Sequence, residues 1–207
     1  ISQTQVAPDV GYTFSSGLRA ILRQDPDIIL IGEIRDLETA DTALQASLTG
    51  HLLLSTLHTN DAAGVVPRLV DLGISATAIG PALNMAIAQR LIRRVCPACH
   101  TQKKATPEEF ELFKNVLGEE RLEKDFKIPI AHGCDACDNI GYTSRIGIFE
   151  IMVSNIEFEK FIAISPSITE IRNFLKEAGM TSLRYDGFLK ILQEITTLEE
   201  VNRVAGK

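Results

Sequence analysis

Hydrophobic residues in the first 95 positions form two short runs and several periodic stretches, which together predict alternating strands and helices. The run Ile28-Ile29-Leu30-Ile31 is β-branched and too short for a globular helix, so it predicts a buried parallel strand over 28–32. The segment HLLLSTLHT predicts a second buried strand over 52–57. Helical spacing and capping signals predict helices over 15–23, 37–48, from Asp61 to about 72, and over 76–89. This alternation is typical of βαβ units and a parallel sheet.

The pattern changes after about residue 95. Thr106-Pro107-Glu108-Glu109 is a capping box with proline at the first helical position, and it predicts a helix over 107–117. The segment SRIGIFEIM predicts a strand. Two more capping boxes begin short helices, so the last 50 residues are predicted to be largely helical: Ser167 with Glu170, and Thr197 with Glu200.

Composition adds limits on the class of protein. Hydrophobic content of 45% and charged content of 23% are ordinary for a soluble globular protein. The net charge of −6 argues mildly against a nucleic-acid-binding surface. No apolar run approaches the roughly 18 residues of a membrane span, and we expect no secretory leader. The sequence begins at Ile1 without a methionine, so we expect it to be a piece of a longer protein.

A carboxylate follows the first predicted strand directly. Glu33 comes after Gly32 at the carboxyl end of the strand, where open α/β sheets place their ligands. In phosphate-transfer ATPases such an acid reaches Mg²⁺ or polarises the attacking water, and the neighbouring glycine allows a close approach. The alternative interpretation is an ordinary strand-to-helix turn, in which Asp36 caps the next helix and Glu33 is solvated.

The second strand ends in polar residues as well. His58 lies among Ser55, Thr56, Thr59 and Asn60, and an imidazole there can donate to a phosphate oxygen. The alternative is a histidine that only satisfies a turn. The two strand ends together favour a phosphate site more than either does alone. The phosphate-binding motif G-x-x-x-x-G-K-[ST] does not occur in the sequence.

Four cysteines form two C-x-x-C pairs, Cys96 with Cys99 and Cys134 with Cys137. Two such pairs can complete a tetrahedral Zn²⁺ site and leave no open position for catalysis, so we predict a structural zinc. The 34 intervening residues exceed the usual spacing, but they contain the capped helix 107–117 and are interpreted as a folded insert. Two disulfides and a redox C-x-x-C are the alternatives. His100 and His132 lie nearby and are interpreted as bystanders.

These motifs resemble a known family. The segment LRQDPDIILIGEIRDLETADTALQASLTGHLLLSTLHTNDA, then IAQRLIRRVCPAC and CDACDNIGYTSRIGIFEI, is similar to the C-terminal half of the bacterial type II secretion and type IV pilus assembly ATPases. There, the blocks are the Walker B box, the His box and a tetracysteine insertion. The resemblance implies part of a RecA-like P-loop ATPase core over 1–95, a zinc-binding insertion over 96–144, and a strand and helical C-terminal portion over 145–207.

The resemblance also implies roles for single residues. Glu33 matches the Walker B glutamate, which helps activate the attacking water, and His58 matches the histidine of the His box. Arg145 matches a family arginine near the nucleotide. The Walker A loop lies upstream in the family, so the printed chain alone is expected to hydrolyse little ATP.

For the parent protein, the resemblance implies a hexameric ATPase that uses ATP with Mg²⁺. It is expected in the cytoplasm, peripherally associated with the inner membrane, where it acts on an inner-membrane platform protein. The quoted motifs occur in both the type II secretion and the pilus assembly branches. The competing hypothesis is a zinc-stabilised protein-interaction module without hydrolytic activity.

Overall fold

The structure is a computed structural model that describes residues 2–206. The chain divides into two compact units, residues 1–86 with 152–178 and residues 87–151 with 179–207. The division falls within two long strands and after a helix, at other positions than the boundaries predicted for 1–95, 96–144 and 145–207. That three-part division stays a prediction.

The secondary structure follows the order expected of an α/β chain. The first part contains α1 (Phe14–Leu22), β1 (Ile28–Leu30), α2 (Leu37–Leu48), β2 (Leu52–Leu54), α3 (Val65–Asp71) and α4 (Ala76–Ala82). Next come β3 (Met85–Val95), β4 (Thr101–Lys104), α5 (Pro107–Leu117), β5 (Lys127–Ile130) and β6 (Tyr142–Val153). The chain continues with α6 (Ile156–Ile162), α7 (Ile168–Glu177), α8 (Leu183–Leu192) and α9 (Leu198–Ala205). The predicted α/β fold is confirmed.

Strands β1 and β2 pair in parallel, as predicted, with Ile28 opposite Leu52 and Leu30 opposite Leu54. The prediction that both strands are buried is wrong for one face. Ile29 is 3% exposed, whereas Ile28 is 63% exposed and Leu30 is 74% exposed. Side chains alternate between the two faces of a strand, so Ile29 lies on a covered face, whereas Ile28 and Leu30 lie on a face that the described residues leave exposed.

Local capping chemistry sets where most helices begin. Asp36 Oδ1 accepts the Thr39 N–H at 2.8 Å, and α2 spans the predicted residues. Thr106 and Ser167 form the predicted reciprocal capping boxes of α5 and α7. The third box is only half formed. Thr197 caps α9, but the side chain of Glu200 makes other contacts.

The prediction of one helix over 76–89 is wrong. Helix α4 ends at Ala82: the Leu83 N–H donates to the Ile79 carbonyl at 2.9 Å, and the backbone of Leu83 is already extended. Residues 85–95 form β3 instead. Ala86, Ala88 and Ile92 are buried and alternate with exposed neighbours, which is the two-residue period of a strand. The high helix propensity of alanine concealed that period.

The second unit has an aromatic core next to a small antiparallel sheet. Strands β4 and β5 pair from Thr101 opposite Ile130 to Lys104 opposite Lys127. The ring of Phe113 on α5 lies 4.6 Å from that of Phe188 on α8 and 4.8 Å from that of Phe126, between ring centroids. Within residues 2–206, the structure contains no helix that is long and apolar enough to span a membrane.

Candidate functional site

The carboxyl ends of β1 and β2 hold the predicted site residues of the first unit. Parallel pairing continues past both strands, because the Ile31 N–H donates to the Leu54 carbonyl at 2.9 Å and the Ile34 N–H to the Thr56 carbonyl at 3.0 Å. The Thr56 hydroxyl donates to the Gly32 carbonyl at 2.7 Å. These bonds fix the backbone on both sides of Glu33, so its side chain projects from a defined position.

The structure brings Glu33 and His58 together. Glu33 Oε2 lies 3.1 Å from His58 Nε2, and Glu33 Oε1 lies 2.5 Å from Arg35 Nη2. The Glu33 side chain is 21% exposed and that of His58 is 81% exposed, so the pair lies at the surface with the imidazole outermost. Arg35, two positions after Glu33, pairs with that carboxylate and is a third member of the site.

The electrostatics of the pair favour an ionised carboxylate. The Arg35 hydrogen bond lowers the pKa of Glu33, partial burial opposes that change, and the His58 hydrogen bond lowers the pKa further. A carboxylate held in this state accepts hydrogen bonds and binds cations, but it cannot donate a proton. The arrangement therefore suits a residue that orients water or a metal ion. It does not suit a general acid.

The alternative interpretation, an ordinary turn between β1 and α2, holds for Asp36 but not for Glu33. Asp36 does cap α2, as that interpretation requires. Glu33, however, is paired with two side chains and is not merely solvated. His51, at the other end of β2, has its Nδ1 atom 3.1 Å from the Ala46 carbonyl oxygen, beside the end of α2.

The turn after His58 is held by contacts of Asp61 that the sequence did not predict. Asp61 was predicted to cap a helix, but α3 begins at Val65 and Asp61 Oδ1 accepts the Gly64 N–H at 2.8 Å in the preceding turn. Its Oδ2 accepts Nε and Nη2 of Arg172 at 3.0 and 2.7 Å. No local sequence signal links these two residues, since 111 positions separate them.

The second unit brings the four cysteines together. Their Sγ atoms all lie within 4.8 Å of one another. Three of the distances are 3.9 Å from Cys96 to Cys134, 3.8 Å from Cys99 to Cys137 and 3.7 Å from Cys134 to Cys137. A tetrahedral zinc with bonds of about 2.3 Å places its sulfurs about 3.8 Å apart, so these residues fit the ion. All four thiols are free, and the distances far exceed the roughly 2 Å of a disulfide.

Backbone donors support thiolate at one of these positions. The N–H groups of Cys134 and Gly141 lie 3.3 and 3.2 Å from Cys137 Sγ. Burial raises the pKa of Cys137, but these N–H groups lower it to about 7 on balance. Burial and the neighbouring thiols raise the pKa of Cys99 to about 12. The four sulfurs thus form a site suited to a divalent cation, because zinc binds cysteine in its thiolate form.

The nearby histidines make contacts outside the sulfur cluster. His100 Nδ1 lies 2.9 Å from the Cys96 carbonyl oxygen, and His132 Nε2 lies 2.8 Å from the Thr101 hydroxyl. Across the described residues, the cluster able to hold a metal contains the four cysteines and neither histidine. Arg145 lies exposed on β6 in the second unit.

The chain is similar to known secretion and pilus assembly proteins over nearly its whole length. The family described as "Type II/IV secretion system protein" matches residues 1–203. The chain is 47% identical over 201 residues to the type IV pilus assembly ATPase PilB of Thermus thermophilus, covering 97% of this chain and 22% of that protein. It is 46% identical over 204 residues to the type II secretion system ATPase E of Vibrio cholerae, covering 99% of this chain and 39% of that protein.

Solved structures show the same fold. A crystal structure of the pilus retraction motor PilT with bound ADP matches with a TM-score of 0.64 and 25% identity, over 94% of this chain and 44% of that one. The ATPase DotB of Yersinia pseudotuberculosis matches with a TM-score of 0.66 and 16% identity, over 99% of this chain and 43% of that one. The chain thus spans less than half the length of these relatives, and it belongs to the type II/IV secretion system protein family.

Proposed function

We propose that this chain is part of an ATP hydrolase that powers type IV pilus assembly or type II protein secretion. The observation that carries the proposal is the Glu33 carboxylate at the carboxyl end of β1, held between His58 and Arg35. Membership of the secretion family supports it, as do relatives named as pilus assembly and secretion ATPases. The type of reaction, phosphoryl transfer to water, matches an ionised acid that is positioned but cannot donate a proton.

The residues of the chain have distinct parts in this proposal. Bound ATP with Mg²⁺ would supply the phosphoryl group and neutralise charge on the phosphates. Glu33 accepts a hydrogen bond from the attacking water and orients it. His58, which is the more exposed of the two, has Nε2 beside Glu33 in the structure, and with nucleotide bound a ring N–H of this side chain donates toward phosphate oxygen. Arg35 keeps Glu33 ionised. Arg145 is proposed to lie near the nucleotide by its match to the family motif.

The setting of the parent protein is also proposed from the family resemblance. The parent forms a hexamer, lies in the cytoplasm at the inner membrane, and acts on an inner-membrane platform protein. The phosphate-cradling Walker A loop comes from a part of the parent outside residues 1–207.

The tetracysteine cluster is proposed to hold one structural Zn²⁺. The supporting observation is the near-tetrahedral set of sulfur distances, between 3.7 and 3.9 Å for the three close pairs. Cys96, Cys99, Cys134 and Cys137 would fill all four positions, so the ion would stabilise the fold and take no part in hydrolysis.

The test is Glu33→Gln in the full-length parent. Glutamine keeps the shape of the side chain but removes the charge that orients water, so kcat for ATP hydrolysis should fall by about 10²- to 10³-fold. Glu38→Gln is the matched control, because Glu38 lies on the nearby α2 helix and pairs at the surface with Arg19 at 3.1 Å. Phosphate release gives the rate, and circular dichroism checks folding.

The competing interpretation predicts a different outcome. If the full-length parent binds the platform protein but never hydrolyses ATP, the protein is a zinc-stabilised interaction module. Equal rates for the Glu33→Gln variant and the unmodified parent would also count against the catalytic proposal.

A further inference from the structure

Asp61 and Arg172 form an ion pair between the turn that follows His58 and a helix from the last third of the chain. Both lie in the first compact unit, although 111 positions separate them. Arg172 directs Nε and Nη2 at one oxygen of Asp61, at 3.0 and 2.7 Å. The other oxygen of Asp61 accepts the Gly64 N–H at 2.8 Å. A single carboxylate therefore joins the turn to α7.

The turn between His58 and α3 is closely packed. Ala62 and Ala63 are each 1% exposed, and the Thr59 hydroxyl donates to the Asp61 carbonyl at 3.0 Å. A methyl group on Gly64 would lie 3.1 Å from Asp61 Oδ1 and 3.4 Å from the Thr59 Cβ atom. A shift of Asp61 would thus be passed to its neighbours in the turn, and His58 lies immediately before that turn.

The helix that carries Arg172 is itself well anchored. Ser167 and Glu170 form a reciprocal capping box at its start. Ile171 and Leu175 are buried on its inner face. The ring of Phe174 on the same helix stacks on that of Phe161 on α6, with centroids 4.5 Å apart. Arg172 projects from this fixed support, with its side chain about half exposed.

We propose that Arg172 is a positioning residue for ATP hydrolysis and acts through Asp61 on the placement of His58. The inference rests on the proposed function and adds α7 to the parts of the molecule that determine the rate. A partly exposed ion pair contributes little to global stability, so its loss acts mainly on the geometry of the turn. Small displacements of a group that contacts the reacting atoms have large effects on rate.

The experiment uses the full-length parent with Arg172→Gln, Arg172→Lys and the control Lys176→Gln. Lys176 is exposed on the same helix, and its substitution removes the same charge. We expect Arg172→Gln to lower kcat about 10-fold while KM for ATP changes less than about twofold, because the group is needed in the transition state and not for binding. Arg172→Lys should recover at least about half of the lost rate, and Lys176→Gln should match the unmodified protein.

A double-mutant cycle with His58→Asn tests the route of the effect. If Arg172 acts through His58, Arg172→Gln should cost less than about twofold in the His58→Asn background. Asp61→Asn is the second variant, since asparagine keeps an acceptor for Gly64 and loses the charge that Arg172 needs; it should reproduce the Arg172→Gln result. An equal loss in both His58 backgrounds, or no loss in either, overturns the inference.

The result can be separated from a failure of the proposed function. If Glu33→Gln abolishes hydrolysis while Arg172→Gln and Asp61→Asn leave kcat unchanged, only the positioning role is wrong. If Glu33→Gln keeps full activity, the catalytic proposal itself fails and the positioning role fails with it.

Discussion

The buried side chain of Glu200 is held by two arginines. Its carboxylate has no exposed area and accepts Nε and Nη2 of Arg93 at 2.9 and 2.7 Å. It also accepts Nε and Nη2 of Arg203 at 2.8 and 2.7 Å, and the backbone N–H of Arg93 at 2.9 Å. Burial raises the pKa of Glu200, but the bonds from Arg203 and Arg93 outweigh it and lower the pKa to about 2.

Stability should therefore depend on pH through this residue. Its folded pKa, about 2, is below the ordinary value of 4.5, so its contribution is complete above about pH 5 and is lost as the pH falls from there toward 2. The difference corresponds to on the order of 3 kcal/mol in the free energy of unfolding. Denaturant titrations of the chain between pH 7 and pH 2.5 measure it. A free energy of unfolding that stays constant over that range would contradict the prediction.

Substitution of the same residue gives a second, independent measurement. Glu200→Gln leaves two arginines without their buried partner, so at pH 7 it should lower the free energy of unfolding by about 3 kcal/mol. The difference in the free energy of unfolding between the variant and the unmodified chain should decrease as the pH approaches 2, because protonation then removes the charge of Glu200 in the unmodified chain. Glu199→Gln, one residue earlier and exposed, is the control and should change stability by less than about 0.5 kcal/mol.

At the scale of elements, the connection between β3 and β6 depends on the cysteine cluster. Cys96 follows β3 directly, and its N–H donates to the Gly141 carbonyl at 2.9 Å, just before β6 begins.

We predict about one zinc per chain by metal analysis. Because zinc binding and local folding are coupled, a chelator should also raise the rate of amide hydrogen exchange around the cluster. Cys134→Ser should lose the metal. His132→Gln is the control and should keep it, since His132 lies outside the cluster. A content well under one zinc per chain would contradict the proposal that the four cysteines bind a structural zinc.

Gly141 has a demanding position beside the same cluster. Its φ is +81°, and a Cβ atom there would lie 2.0 Å from the His132 carbonyl oxygen. Gly141→Ala should therefore displace the N–H that contacts Cys137 and weaken zinc binding by at least about 10-fold in a chelator competition, as loss of a contact behind a metal ligand does.

The control for this substitution separates backbone strain from steric clash. Gly179 has φ +83°, and nothing lies within 4 Å of a Cβ atom built on it. Gly179→Ala should cost only the roughly 1–2 kcal/mol of a left-handed conformation and leave zinc affinity unchanged. Equal zinc affinity for the two variants would show that the crowding at Gly141 is unimportant.

At the scale of the whole molecule, the features that could be predicted are those with local causes. The ends of α2 and α5 follow from Asp36 and Thr106, whose side chains cap them within three residues. The parallel pairing of β1 and β2 follows from two apolar runs joined by a helix. The grouping of four cysteines follows from their C-x-x-C spacing.

Features with distant causes could not be predicted in this way. The pairs Asp61 with Arg172 and Arg93 with Glu200 join residues more than 100 positions apart, and a single sequence carries no signal for them. Residues 85–89 were misassigned to a helix because alanine favours helices, while tertiary packing places them in a strand. The sequence thus predicted that Glu33 and His58 lie together at the strand ends, but it did not predict the Asp61–Arg172 pair that holds the neighbouring turn.

Residues 1–207 alone should hydrolyse ATP slowly. Glu33 is proposed to orient water, yet hydrolysis also requires donors around the phosphates, and G-x-x-x-x-G-K-[ST] does not occur in these residues. Loss of one such donor costs about 10²- to 10³-fold in kcat, and a whole loop supplies several. The isolated chain should therefore release phosphate from ATP at least about 10³-fold more slowly than the full-length parent.

The comparison needs folded protein and a test of dependence on Glu33. Circular dichroism and zinc content establish that the isolated chain is folded, and the Glu33→Gln variant of the same chain gives the background rate. If the isolated chain hydrolyses ATP at a rate near that of the parent and Glu33→Gln abolishes that activity, residues 1–207 hold a complete site. Phosphate would then be bound by groups within this chain, and the exposed His58 beside Glu33 would be the first of them to substitute.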